Sequence, residues 1–231
     1  MRRPRGPGSG EQAHHSMFGW WRLLGLAVVV MLLVRAFVVQ SFSVPSGSME
    51  PTIAPGDRLL ASRLIRGDSI HRGDIVVFDG AGAFGSGEPS DPGKLQQVLR
   101  AAASLLSIDT GTDYVKRVVG VPGDEVMCCD PSGRLVVNQV AVNEAYLFPG
   151  DAPSEVTFDV TVPDGRIWVM GDHRSDSSDS RSYLGHAGGG TVRLDDVIGQ
   201  VTVRYWPLGR LGSLGGAGSL PTVPSTSGAG R

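Results

Sequence analysis

Three short stretches carry residues whose types and spacing could do chemistry. The first is Ser43-Val44-Pro45-Ser46-Gly47-Ser48-Met49-Glu50-Pro51-Thr52. Pro45 and Pro51 fix φ on either side of two serines, and Gly47 lets the backbone fold closely around Ser48. A serine nucleophile needs a fixed hydroxyl and a nearby donor for an oxyanion. Ser48 with its own N–H, and Ser46 with its hydroxyl, could supply both, although the stretch also reads as an ordinary turn. A serine also needs a base. None of the five histidines stands in a compelling context, His173 beside Asp172 being the best of them.

The better base is Lys116, in the second stretch, Tyr114-Val115-Lys116-Arg117-Val118-Val119-Gly120. Of the 21 basic residues only Lys94 and Lys116 are lysines; the rest are arginines. Arginine does not give up its proton in a protein, whereas a buried lysine does so readily. A chain that writes its positive charge as Arg and keeps Lys here is consistent with a need for a titratable amine. Strand alternation would put Tyr114, Lys116 and Val118 on one face and Val115, Arg117 and Val119 on the other. The third stretch, Gly171-Asp172-His173-Arg174-Ser175-Asp176-Ser177-Ser178-Asp179-Ser180-Arg181, has no apolar residue and directly follows the apolar run Ile167–Met170. Asp179 and Arg181 have the spacing of a local ion pair, and a serine there could hold a lysine amine.

These stretches need a frame. Past Gln40 the apolar runs are short, β-branched and bounded by Gly, Pro and Asp, the signature of strands. Strands are predicted over Asp74–Phe78, Tyr114–Val119, Glu125–Cys129, Arg134–Val137, Glu155–Val160, Arg166–Met170 and Ile198–Tyr205. One helix, Lys94–Leu106, sits in a Gly/Ser-rich excursion between Asp79 and Asp113. The 33 glycines and 15 prolines in 231 residues argue for a loop-rich β body and against a helical bundle. A net charge of −2 offers no basic field for nucleic acid. There is no P-loop, no G-x-S-x-G elbow, no H-E-x-x-H and no C-x-x-C, so neither a metal nor a cofactor is expected. Cys128 and Cys129 are adjacent and cannot staple distant segments; they read as a buried thiol pair, with a vicinal disulfide as the alternative.

Ahead of this body, Phe18–Val39 is apolar or Gly except for Arg22 and Arg35. At 1.5 Å per residue it would extend about 33 Å, enough for a bilayer core of about 30 Å. The arginines would snorkel at the two faces, Trp20 and Trp21 would sit at the interface, and Arg2, Arg3 and Arg5 would keep the N-terminus inside. A cleaved secretory leader ending near Ser43 is the alternative, and either reading puts the remainder outside the cytoplasm. The predicted organisation is a cytoplasmic tail over 1–17, a transmembrane anchor over 18–40, an extracytoplasmic catalytic domain over 41–211 and a disordered tail over 212–231.

Four motifs, P-S-G-S-M-E-P-T at 45–52, R-G-D-I-V-V-F at 72–78, Y-V-K-R-V-V-G-V-P-G-D at 114–124 and G-D-H-R-S-D-S-S-D-S-R at 171–181, together resemble the bacterial type I signal peptidases. The resemblance covers about residues 18–208. It implies a mainly β fold, with one N-terminal transmembrane helix followed by a catalytic domain of coiled antiparallel sheets. It also implies a serine endopeptidase that removes signal peptides after small-x-small sites. In that scheme Ser48 is the nucleophile and Lys116 the general base. Ser46 completes the oxyanion hole, Ser177 orients the amine, and Asp179 and Arg181 brace the loop. The substrate pockets would lie around Phe42, Val44, Met49, Val77, Tyr114 and Val115. The partners implied are signal-peptide-bearing pre-proteins and the lipid bilayer, with no nucleic acid, at the cell membrane. The family's box usually reads G-D-N-R-D-N-S-x-D-S-R; here His173, Ser175 and Asp176 depart from it. Two other readings are a repressor-type self-cleaving Ser/Lys protease and a membrane-tethered β-rich module that binds exported proteins without cutting them.

Overall fold

In the computed structural model, residues 20–31, 39–64, 69–84 and 113–215 are described. Helix α1 covers 20–31 and is exposed along its whole length. No helix among the described residues is long and apolar enough to cross a membrane. The rest of the predicted 18–40 anchor divides in two: 18–19 and 32–38 lie outside the described residues, and Val39 and Gln40 already belong to a strand. The predicted helix Lys94–Leu106 also lies outside them.

The body is built of antiparallel strands in two sheets. The larger sheet comprises β1 (Val39–Ser43), β2 (Arg58–Ser62), β3 (Ile75–Asp79), β4 (Asp113–Gly120), β9 (Arg166–Met170), β10 (Val192–Arg193), β11 (Val197–Trp206) and β12 (Gly212–Ser213), with one short helix, α2 (Gly80–Phe84), after β3. Their order is β1-β2-β11-β3-β4-β9-β10, and β12 pairs with β11. The smaller sheet, in the order β7-β6-β5-β8, comprises β5 (Glu125–Cys128), β6 (Leu135–Val137), β7 (Val140–Ala141) and β8 (Phe158–Thr161). The predicted strands fall on these elements with ends displaced by at most three residues, Arg166–Met170 coinciding with β9 and the Glu155–Val160 prediction starting three residues before β8. The short strands β7, β10 and β12 were not predicted. Nor was β2, whose single buried pair, Leu59 and Ala61, gives too few alternations to read. The sheet also continues past residue 211, through Gly212–Ser213, into the stretch predicted to be disordered; 216–231 lie outside the described residues.

Strand alternation divides the apolar side chains among three clusters. Phe42, Val44, Met49, Ile53, Ile75 and Val77 form one, on the side of the Ser48 turn. Val76, Phe78, Val118, Ile167 and Val169 form a second on the opposite face of β3 and β4. Val119, Val126, Leu135, Phe158, Trp168 and Met170 form the third, where the smaller sheet packs on the end of β4. That junction needs Gly120. A Cβ there would lie 2.6 Å from Val126 and 3.0 Å from Val162, closer than packed carbon atoms approach.

Two of the four motifs owe part of their composition to one carboxylate. Asp124, buried, accepts Arg72 Nε at 2.6 Å and Nη2 at 2.5 Å, the Val121 N–H at 2.8 Å and Asn138 Nδ2 at 2.9 Å. It thereby ties the segment that opens β3 to the turn after β4. The thiol expectation is corrected here: Cys128 and Cys129 form a vicinal disulfide. The chain leaves β5 at Cys128 for a turn in which Gly133 N–H bonds Asp130 O. The alternation that would hold neighbouring side chains on opposite faces has ended there.

Candidate active site

The turn after β1 carries Ser48. It is held by Glu50 N–H on Gly47 O at 2.9 Å and Ile53 N–H on Met49 O at 2.9 Å, while Met49 and Ile53 anchor it in the first cluster. Ser48 is thus fixed at the surface of a core, 7% exposed. From β4, the neighbour of β3, Lys116 projects towards it. Lys116 is 3% exposed, and its Nζ donates to Ser48 Oγ at 2.6 Å. That is the only hydrogen bond the Lys116 side chain makes among the described residues. Burial pushes its pKa down to about 8, against the upward pull of Asp179 and Asp172. At pH 7 about a tenth of such an amine is neutral, against about one part in three thousand at a pKa of about 10.5. With the amine neutral the contact reverses, and Oγ–H donates to the nitrogen lone pair. Ser46 Oγ lies 3.4 Å from Ser48 Oγ, on the same side of the turn.

The loop after β9 closes the site from behind. Its start, Gly171, has no space for a side chain: a Cβ would collide with the Ser177 hydroxyl and lie 2.5 Å from Ser48 O. His173 N–H bonds that same Ser48 O at 3.1 Å, so the loop is stitched to the backbone of Ser48 itself. Asp179 is fully buried and accepts Gly171 N–H at 2.9 Å, Ser177 Oγ–H at 2.8 Å, and Arg181 Nε and Nη2 at 2.9 and 2.8 Å. Burial would raise its pKa, but the Arg181 hydrogen bonds and charge outweigh this and hold it below the ordinary carboxylate range. Ser177 gives its proton to Asp179 and makes no hydrogen bond to Lys116 in this structure; its lone pairs remain to accept one.

Sequence reasoning missed a second set of groups. Asp172 accepts Arg117 Nε at 2.8 Å, Arg117 Nη2 at 2.7 Å and Thr52 Oγ1 at 2.5 Å. Arg117 also donates to Gly73 O at 2.9 Å and lies over the Tyr146 ring. One ion pair therefore joins the Ser48 turn, the Lys116 strand and the loop after β9. Next to it Arg174 forms a bidentate pair with buried Glu144, which also accepts the Tyr146 hydroxyl at 2.7 Å. The partners are 30 to 120 residues apart in the chain, so no local spacing announces them. The one available signal was that Thr52, Arg117 and Asp172 each lie inside a motif already singled out. His173 stacks on Phe148 at 3.9 Å and contacts Ser48 through its backbone N–H.

In front of Ser48 and Lys116 opens a cleft of about 410 Å³. Of the pocket residues named from the resemblance, Phe42, Val44, Met49, Tyr114 and Val115 line it, whereas Val77 is fully buried in the cluster beneath. Ser46, Asp113, Asp176 and Ser178 supply polar lining. No group of three or more His, Cys, Asp or Glu side chains among the described residues could hold a metal ion. A buried serine hydroxyl against a lysine amine of lowered pKa, at the edge of a cleft, is an arrangement suited to acyl transfer.

That chemistry is the class of a serine hydrolase, and comparison with known proteins narrows it. Residues 17–206 match the family model "Signal peptidase, peptidase S26". The chain is 34% identical to the probable signal peptidase I of Mycobacterium leprae, over 86% of this chain and 80% of that protein. It is also 34% identical to the signal peptidase I of Bacillus licheniformis, over 74% and 81%. A solved signal peptidase I from Enterococcus faecalis V583 shares 24% identity and a TM-score of 0.37, covering 58% of this chain and 97% of that one; this likeness adds nothing to the fold argument. The chain belongs to the signal peptidase family S26 and is a serine endopeptidase.

Proposed function

We propose that this endopeptidase cuts signal peptides from exported pre-proteins after small-x-small sites, with Ser48 as nucleophile and Lys116 as general base. The observation that carries the reading is the buried Lys116 Nζ, 2.6 Å from Ser48 Oγ. Neutral Lys116 takes the Ser48 proton as Oγ attacks the scissile carbonyl carbon. The Ser48 N–H and the Ser46 hydroxyl stabilise the oxyanion. Lys116, now an ammonium, returns the proton to the leaving amine, and the new N-terminus departs. Neutral again, it takes a proton from water as that water attacks the acyl-enzyme, then gives it to Ser48 Oγ as the ester bond breaks and the cut signal peptide leaves with its new carboxyl terminus. Ser177, held by Asp179, accepts from the ammonium and keeps it aimed at Ser48, while Asp179 and Arg181 brace the loop.

The apolar lining by Phe42, Val44, Met49, Tyr114 and Val115 supports recognition of small side chains beside the scissile bond. Tethering through residues 18–40, with 1–17 in the cytoplasm and the catalytic domain outside, is part of the same reading. Its support is the apolar sequence of that segment and the exposure of α1, in which Trp20, Trp21, Leu23 and Leu24 are all more than half exposed.

Purified full-length protein in detergent, incubated with a pre-protein bearing Ala-x-Ala, should release a mature chain whose N-terminus begins directly after the second Ala. Ser48→Ala should release none. An uncut pre-protein that nevertheless stays bound would favour a binding module over a peptidase.

A further inference from the structure

The cleft has a charged wall that the chemistry of Ser48 and Lys116 does not use. Asp176 ends a short 3-10 turn, Arg174–Asp176, and its carboxylate lines the cleft. Both neighbours are tied down: Ser175 bonds Asp151 through Oγ at 2.8 Å and through its N–H at 3.1 Å, and Ser177 bonds Asp179. Asp176 itself makes no ion pair and accepts no side-chain hydrogen bond among the described residues. A second carboxylate approaches from the Ser48 turn. The point where a Gly47 Cβ would sit lies 3.4 Å from Glu50 Oε2 and 3.5 Å from Asp176 Oδ2. The two oxygens therefore converge on the residue between Ser46 and Ser48. The neighbouring guanidiniums, Arg174 and Arg181, are taken by Glu144 and Asp179. Lys116 is the one cation in the lining, and it must be neutral to act.

We propose that Asp176 and Glu50 form a charge-selective subsite, which favours substrates carrying Lys or Arg within two residues of the scissile bond. The inference rests on the proposed peptidase reading. A cationic side chain that starts near the bond attacked by Ser48 reaches Gly47, where it meets two carboxylate oxygens that form no ion pair among the described residues. An acidic side chain at the same place meets repulsion, so discrimination comes from both signs.

The test compares Ala-x-Ala peptides carrying Lys, Gln or Glu in turn at the middle position of Ala-x-Ala and at each of the first two positions after the scissile bond. For the wild-type protein the Lys-to-Glu ratio of kcat/KM should reach about tenfold at one position, with Gln between. It should fall in Asp176→Asn and approach one in Asp176→Asn with Glu50→Gln. In the wild-type protein alone the ratio should shrink towards one between 0.1 and 1 M salt, as the screening length drops from about 10 to about 3 Å. Equal rates at every position, or a preference unchanged in the double variant or in high salt, would overturn the subsite while leaving the peptidase standing. Failure to cut any peptide, the Gln series included, would instead remove the peptidase reading and the subsite with it.

Discussion

Lys116 and Arg117 are neighbours on one strand, each 3% exposed, and they have opposite fates. Arg117 is saturated: two bonds to Asp172, one to Gly73 O, and a ring beneath it. The Lys116 side chain has a single hydrogen bond among the described residues, to a neutral hydroxyl. Its counter-charges, Asp172 and Asp179, are engaged by Arg117 and Arg181 and only partly offset its burial. Ion pairing in the loop after β9 thus does two things. It builds a rigid frame, and it keeps carboxylates from fully compensating the amine beside Ser48. A charge that is buried and paired is structural; one that is buried and left short of partners is poised to lose its proton.

Substitutions can break that contrast from either side. The largest effect on activity should come from Lys116→Arg and Ser48→Ala, each reducing kcat/KM by at least about a thousandfold, since guanidinium cannot accept the proton. Lys116→Met should be equally inactive but no less stable than the wild type in a urea melt, because it removes a desolvated amine and keeps the volume. A marked loss of stability in Lys116→Met would mean that the amine holds the fold together. Arg117→Met should behave in the opposite way. It leaves Asp172 buried without its partner and should cost about 3–5 kcal/mol of stability in the same melt. Asp179→Ala should lose stability of the same order and activity with it, because Arg181, Gly171 N–H and Ser177 all lose their acceptor.

The extent to which these roles could be read in the sequence follows the same divide. The strands around the site were legible because β-branched runs alternate and end in Gly, Pro or Asp. Ser48 and Lys116 stood out through local cues, a serine between prolines and a lysine in an arginine-writing chain. The Arg117–Asp172–Thr52 and Arg174–Glu144 groups had no such cue, since they are formed by strands and loops brought together only by the fold. Val39–Ser43 was hidden for a different reason. Its first residue, Val39, closes the apolar run Phe18–Val39, and the remaining Gln40-Ser41-Phe42-Ser43 has one apolar residue, too few to read as a strand. Cys128–Cys129 turned on the backbone at the end of β5, where strand alternation no longer applies.

The smallest predicted effect sharpens the contrast further. Asp176 stabilises the Lys116 ammonium, so Asp176→Asn should move the rising limb of kcat/KM to lower pH. Recording kcat/KM for the Gln peptide from pH 6 to 10 detects the shift. A limb that stays in place would mean the cleft carboxylate does not reach the amine.

The most direct test of the central claim is the pH dependence of Ser48 acylation by a mechanism-based probe, in the wild type and in His173→Asn. In the proposed mechanism the amine is the base and works only when neutral, so the rate should rise with an apparent pKa near 8 in both proteins. A rise that disappears in His173→Asn would contradict it and transfer the base role to the imidazole.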